Sequence, residues 1–177
     1  MSVKILAISG SLRAGSSNAA LLQAAAALAP PGMELIYYDG LGRLPHFSPD
    51  LDTEGQAPPA EVAALRALIS EAAGLIICSP EYAHGVPGVL KNALDWLVSH
   101  PDFAGKPVLL WNASAAGGQW AQASLRETLT VMSAKVLDAS LLEPFLRKKL
   151  VPEAGIADEE SKSAVQRSLA ALAAAIR

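Results

Sequence analysis

Val3-Lys4-Ile5-Leu6-Ala7-Ile8-Ser9-Gly10-Ser11-Leu12-Arg13-Ala14-Gly15-Ser16-Ser17-Asn18 is an apolar run that gives way at once to a loop of small and hydroxyl-bearing residues. The run through Ser9 has the length and composition of a strand buried on both faces. Leu21, Leu22, Ala25 and Leu28 then recur at helical spacing, so a helix follows within a few residues. A strand that feeds a helix through such a loop aims free backbone N–H groups and the positive end of the helix dipole at one point. That point suits a phosphate, and the hydroxyls of Ser11, Ser16 and Ser17, the Asn18 amide and the Arg13 fork complete its shell. Helix capping alone accounts for one of Ser16, Ser17 and Asn18 and leaves the arginine unexplained. No Gly-Lys-Ser/Thr follows, and Gly10 and Gly15 do not form G-x-G-x-x-G. A mononucleotide phosphate held without an obligatory lysine or magnesium fits better than a nucleoside triphosphate or a dinucleotide.

With 177 residues, at about 150 per domain, a single domain over residues 1–177 is expected, large enough to bury a sizeable core. Hydrophobic residues make up 51% and charged residues 18%, which excludes a disordered chain. The longest apolar runs are far too short to span a bilayer, and the first strand stops before a signal-peptide core could form. Cys78 is the only cysteine, so no intrachain disulfide is possible and a reducing, cytoplasmic setting is expected. A net charge of −3 argues against nucleic acid as a partner, and no membrane partner is expected.

Outward from the first loop, Met33–Tyr38 reads as a second strand, and 39–59 is a long loop rich in Gly and Pro. Val62, Leu65, Leu68, Ile69 and Ala72 form the face of a helix closed by Gly74 as its C′ residue. Gly74–Ser79 is a third strand, and the loop 80–88 leads to a helix with Val89, Leu90, Ala93, Leu94 and Leu97 on one face. Lys106–Asn112 is a fourth strand, the loop 113–119 turns into a helix through Leu125, Leu129 and Met132, and Ala134–Asp138 makes a fifth strand. An irregular segment with Pro144 and Pro152 leads to a last helix capped by Asp158. Five alternating units predict an α/β, flavodoxin-like fold: a parallel sheet of order 2-1-3-4-5 with helices on both faces. Ligands then bind beyond the carboxyl ends of strands one and three. The three small-residue loops, after strands one, three and four, fall on that same edge.

Gly10-Ser11-Leu12-Arg13 with Ser16 and Asn18, Pro80-Glu81-Tyr82, Val86-Pro87-Gly88 and Leu90-Lys91-Asn92-Ala93-Leu94-Asp95-Trp96 together resemble the NADPH-dependent FMN reductase family, in its chromate, quinone and azo-dye reductase branch. The resemblance implies bound FMN, NADPH or NADH as co-substrate, small-molecule electron acceptors, and a homodimer or homotetramer with the flavin near a subunit interface. By that resemblance Ser11, Arg13, Ser16 and Asn18 hold the FMN phosphate. Pro80, Glu81, Tyr82, Ala83, His84 and Gly85 run beside the isoalloxazine ring, and Ser114 and Gly117 lie on its other flank. The chain departs from the family at Ala83, where asparagine is common, and in a short Ser114–Gly118 loop.

The expected activity is hydride transfer from NAD(P)H to FMN, then electron transfer to quinones, azo compounds or chromate, with the protein supplying position and electrostatics. The backbone N–H groups of Glu81–Gly85 would stabilise negative charge on the reduced ring. No side chain is an obligatory acid or base. His84 is a candidate proton donor, since imidazole changes charge near neutrality. Cys78, inside an apolar strand, reads as a small buried residue, and Lys91 and Asp95 read as an i,i+4 pair. Tyr82 is placed at the flavin edge and Trp96 at a subunit contact. Arg43 is left between a nucleotide phosphate, a partner subunit and solvent. His46, His84 and His100 show no metal spacing. The alternatives are an FMN-binding electron carrier without NAD(P)H activity and a mononucleotide-binding module without redox chemistry.

Overall fold

A computed structural model describes residues 2–115, 117–143, 146–151 and 155–176. Pro144, Pro152 and Ala116, which belong to segments read from the sequence, lie outside the described residues. In order, the elements are β1 (Val3–Ser9), α1 (Ser17–Ala26), β2 (Met33–Tyr38), α2 (Ala60–Glu71), β3 (Gly74–Cys78), α3 (Gly88–Leu97), β4 (Pro107–Asn112) and α4 (Gln119–Val131). They continue through β5 (Lys135–Val136), β6 (Leu141–Leu142), α5 (Leu146–Lys149), β7 (Leu150–Val151), β8 (Gly155–Ile156) and α6 (Glu159–Ile176). The main sheet runs β2-β1-β3-β4-β5, all parallel, with β6 also on β4, while β7 and β8 form a small antiparallel pair.

The strands are apolar on both faces because both faces are covered. Ile5 and Ala7 of β1, Ile76 and Cys78 of β3, and Leu109 and Trp111 of β4 pack with Leu21, Leu22 and Ala25 of α1 and Val165, Leu169 and Leu172 of α6. The alternate residues, Leu6 and Ile8, Leu75 and Ile77, Val108 and Leu110, face α2, α3 and α4. The period of two along each strand thus divides one sheet between two cores. Each fully buried side chain of this kind contributes about 2 kcal/mol.

Three expectations are corrected. Gly74 does not close α2, which ends at Glu71 with Ala72 as its C-cap. It opens β3, where a Cβ would lie 3.2 Å from the Pro107 carbonyl oxygen and 3.0 Å from Leu172 Cδ1, so it permits close approach of strand and helix. The fifth strand is not one piece over Ala134–Asp138. It pairs with β4 at Lys135 and Val136, leaves it, and returns at Leu141 and Leu142. Trp96 is not on the surface but fully buried. Its Nε1 donates to the Pro45 carbonyl at 2.8 Å, and its ring meets Phe47 edge-on at 5.1 Å.

Both partners of Trp96 belong to the long 39–59 segment, which is therefore a cover for α2 and α3. Asn92 reinforces it, accepting from Phe47 N–H at 2.8 Å and donating to Pro45 O at 3.0 Å. Arg66 of α2 clamps its far end through Asp52, at 2.9 Å to each carboxylate oxygen. Arg43 pairs with Asp39 at the surface, and Lys91 pairs with Asp95 as the spacing predicts. Asp158 caps α6 by accepting from Ser161 N–H at 2.9 Å. No helix among the described residues is long and apolar enough to cross a membrane.

Candidate functional site

The parallel ladder delivers three loops to one edge. Gly10 N–H donates to Cys78 O at 2.9 Å and Ser79 N–H to Trp111 O at 3.0 Å, so β1, β3 and β4 end side by side. Beyond them lie residues 10–16, 79–87 and 113–118, which together with Ser17 and Asn18 in the first turn of α1 contain every site residue read from the sequence.

In the first loop Ser16 caps α1, its Oγ accepting from Ala19 N–H at 3.3 Å. The N–H groups of Ser17 and Asn18 meet no acceptor among the described residues, and the first turn of α1 holds no acidic residue. Ser11 Oγ accepts from Arg13 N–H at 3.3 Å, while the exposed Arg13 guanidinium has no partner among the described residues. An unpaired guanidinium, open helix N-terminal amides and nearby hydroxyls are the donor set a phosphate monoester needs. A cavity of about 240 Å³ opens beside them, lined by Ser11, Arg13, Ala19, Tyr37 and Asp39.

Asn18 is buried, and its Oδ1 accepts from Ala113 N–H at 2.9 Å and from Cys78 Sγ at 3.2 Å. The carbonyl side of the amide thus fastens α1 to the ends of β3 and β4, leaving the NH2 side as the group able to meet an anion. Burial pushes the Cys78 thiol well above its ordinary pKa, in keeping with a structural residue.

In the second loop Pro80 is buried and Tyr82 to Gly85 form a tight turn with reciprocal backbone bonds, Tyr82 N–H to Gly85 O at 3.1 Å and Gly85 N–H to Tyr82 O at 3.0 Å. Those two amides are consumed, so of the backbone donors expected there the N–H groups of Glu81, Ala83 and His84 remain, and the last two lie in the turn itself. Ala83 and His84 have positive φ, 50° and 59°. Tyr82 is 56% exposed, with its hydroxyl 3.5 Å from Ser11 Oγ, so the first and second loops touch.

The third loop is set by a residue that the motif reading missed. Asn112, the last residue of β4, is buried; its Nδ2 donates to Ser79 O at 2.8 Å and its Oδ1 accepts from Ser114 N–H at 2.7 Å. A polar residue ending an otherwise apolar strand was the available signal. Gly117 has φ +81°, which glycine adopts without strain. Glu81 crosses to this loop, its Oε2 accepting from Trp120 N–H at 2.8 Å and Ala121 N–H at 2.9 Å. A second cavity, of about 640 Å³, is lined by His84, Gly117, Gly118, Trp120, Arg126 and Leu142 among others. The rings of His84 and Trp120 lie 5.5 Å apart at its rim. No group of three or more His, Cys, Asp or Glu side chains able to hold a metal occurs among the described residues.

The strand order and the three loops gathered at the carboxyl ends of β1, β3 and β4 define a flavodoxin-like α/β protein. Residues 3–144 match the family NADPH-dependent FMN reductase, and the chain belongs to that family. It is 37% identical over 175 residues to an NAD(P)H-dependent FMN reductase of Pseudomonas aeruginosa, covering 96% of this chain and 93% of the relative. It is 35% identical over 158 residues to a quinone reductase of Escherichia coli K12, covering 86% of this chain and 84% of the relative. The solved flavoenzyme NAD(P)H:(acceptor) oxidoreductase of Paracoccus denitrificans superposes with a TM-score of 0.85 at 25% identity, covering 98% of this chain and 97% of that one.

Proposed function

We propose that the chain, as one domain, is an FMN-dependent NAD(P)H oxidoreductase that delivers electrons to quinones and related small acceptors such as azo compounds or chromate. The observation that carries this is the donor set of the first loop, an unpaired Arg13 beside the open amides of Ser17 and Asn18, facing the turn at Ala83 and His84 across the Ser11–Tyr82 contact. Family membership and the names of the full-length relatives point the same way.

Bound FMN would supply the redox chemistry, taking a hydride from NAD(P)H and passing electrons to the acceptor. Arg13, Ser11, Ser16, Ser17 and the Asn18 NH2 group would hold its phosphate. Pro80, Glu81 and Tyr82 would border the ring, with the Ala83 and His84 N–H groups as donors towards it and Ser114 and Gly117 on the opposite flank. Preorganised backbone donors favour charge that develops on the ring and need no reorganisation to do so. No side chain is obligatory as acid or base; His84, which lines the larger cavity, would be the proton donor to a reduced quinone.

Tyr82, Trp120 and Leu142 are all more than half exposed around this edge, which favours a homodimer or homotetramer with the flavin near the interface. A reducing, cytoplasmic setting fits a single cysteine that is buried and unpaired. The test is the visible spectrum of purified protein reconstituted with FMN, before and after anaerobic NADPH. Bleaching by NADPH or NADH and recovery on adding a quinone is the expected result. A bound flavin indifferent to both nucleotides, or protein that rejects FMN, overturns the reading.

A further inference from the structure

Glu81 stands in the motif read as running beside the ring, yet its carboxylate is spent elsewhere. The N-cap of α4 is Gly118, which has no side chain to offer, and the first turn carries no acid. Glu81, from the loop after β3, reaches across and accepts from the first-turn N–H groups of Trp120 and Ala121 at 2.8 and 2.9 Å. One carboxylate oxygen therefore satisfies two of the donors an α-helix leaves open at its start, and places a negative charge at the positive end of the dipole. A second contact joins the same two segments, where the rings of His84 and Trp120 meet at 5.5 Å.

Between these two points of attachment lies the least favourable backbone of the site. Ala83 and His84 both adopt the left-handed region, at φ 50° and 59°, in a turn where glycine or asparagine is the usual choice. Such residues persist only where the surroundings over-determine them.

We propose that Glu81 is a positioning residue: by capping α4 it anchors the Tyr82–Gly85 turn in its strained form and so holds the Ala83 and His84 N–H groups ready for the flavin. The cap substitutes for the conformational preference that Ala83 lacks. The link to the flavin rests on the function proposed above; the link to the turn does not.

The experiment reads amide hydrogen exchange by NMR in the FMN-free protein, with FMN affinity measured separately by quenching of flavin fluorescence. The variants are Glu81→Ala, Glu81→Gln, Ala83→Asn and the double variant Glu81→Ala/Ala83→Asn. Loss of a helix cap corresponds to about fivefold faster local opening, so Glu81→Ala is expected to speed exchange at Trp120 and Ala121 by about that factor, and to speed Tyr82 and Gly85 with them. Glu81→Gln keeps an oxygen acceptor and stays within about twofold of the parent. Asparagine tolerates the left-handed region, so the double variant restores slow exchange at Tyr82 and Gly85 while Trp120 and Ala121 remain fast. FMN affinity follows the turn: weakened in Glu81→Ala, recovered in the double variant.

Unchanged exchange at Trp120 and Ala121 in Glu81→Ala overturns the cap. Failure of Ala83→Asn to restore the turn overturns the idea that the cap carries its strain. A parent protein that binds no FMN sinks the flavin reading, while the exchange data still decide the role of Glu81.

Discussion

Gly118→Ala offers a sharp quantitative test of how the third loop is built. The obstacle at Gly118 is space. A Cβ would fall 2.0 Å from Asn112 Nδ2 and 2.9 Å from its Cγ. Asn112 is 1% exposed and cannot swing away without breaking both its bonds, to Ser79 O and from Ser114 N–H. Each buried group left without a partner costs about 1–3 kcal/mol, so the variant should lose about 3 kcal/mol. Gly117→Ala is the contrast, because a Cβ there meets nothing within 4 Å but the φ of +81° suits glycine; its cost is the backbone penalty alone, about 1 kcal/mol. Asn112→Ala loses the same two bonds as Gly118→Ala and removes the atoms in the way. The double variant Gly118→Ala/Asn112→Ala should therefore cost no more than Asn112→Ala alone, a coupling of about 3 kcal/mol. Urea unfolding of the FMN-free protein measures this, provided the m-values agree across the set. Additive losses in the double variant, or equal losses for Gly117→Ala and Gly118→Ala, would refute the steric argument.

Further tests follow from single contacts. Arg13→Gln should weaken FMN binding by about tenfold or more, the value of a charge-assisted contact, and leave the melting temperature of FMN-free protein unchanged because the side chain has no partner among the described residues. Asp52→Asn should cost about 2–3 kcal/mol by disrupting the Arg66 clamp on the long cover segment. Hydrogen bonding from Arg66 holds the Asp52 carboxyl below the usual carboxylate range, so its contribution is complete above about pH 4 and is lost as the pH falls through the depressed value. Melts between pH 2 and 7 should accordingly show a shallower acid limb for Asp52→Asn than for the parent. Cys78 should resist iodoacetamide at pH 8 in the folded protein and react readily in denaturant, since burial both raises its pKa and blocks access; fast alkylation of native protein would contradict its placement.

Strand order was legible because each strand is a short apolar run bounded by a turn, and five such runs alternating with helical faces leave few ways to build a sheet. The errors arose where a residue's neighbour comes from elsewhere in the chain. Gly74 follows a helical pattern, the usual place of a C′ glycine, and only the approach of Leu172 and Pro107 explains it. Trp96 sits at helical spacing on α3, and its burial depends on Pro45 and Phe47 of a segment without periodicity, which gave no sign that it folds over the helix. The fifth strand breaks because the chain leaves β4 after Val136, a departure that Ala134–Asp138 does not announce.

The site divides along the same line. The phosphate donors are local, since Arg13, Ser16, Ser17 and the amides that open α1 lie within one short segment, and their chemistry can be read from its composition. The side chains that bring the loops together are not local. Asn18 reaches Ala113 across 95 residues, Asn112 reaches Ser79 across 33, and Glu81 reaches Trp120 across 39. Before folding, each is simply a polar residue beside an apolar strand, indistinguishable from one that faces solvent or ligand. Once folded, each bonds the backbone of a neighbouring segment, Asn18 through its carbonyl side alone, where an unpaired buried amide or carbonyl would be costly. A substitution at any of the three should therefore register as loss of flavin although the side chain removed is chiefly a tether. That is why the motif residues of such a site separate into those that bind and those that hold the binders still only when each is given its partner in space.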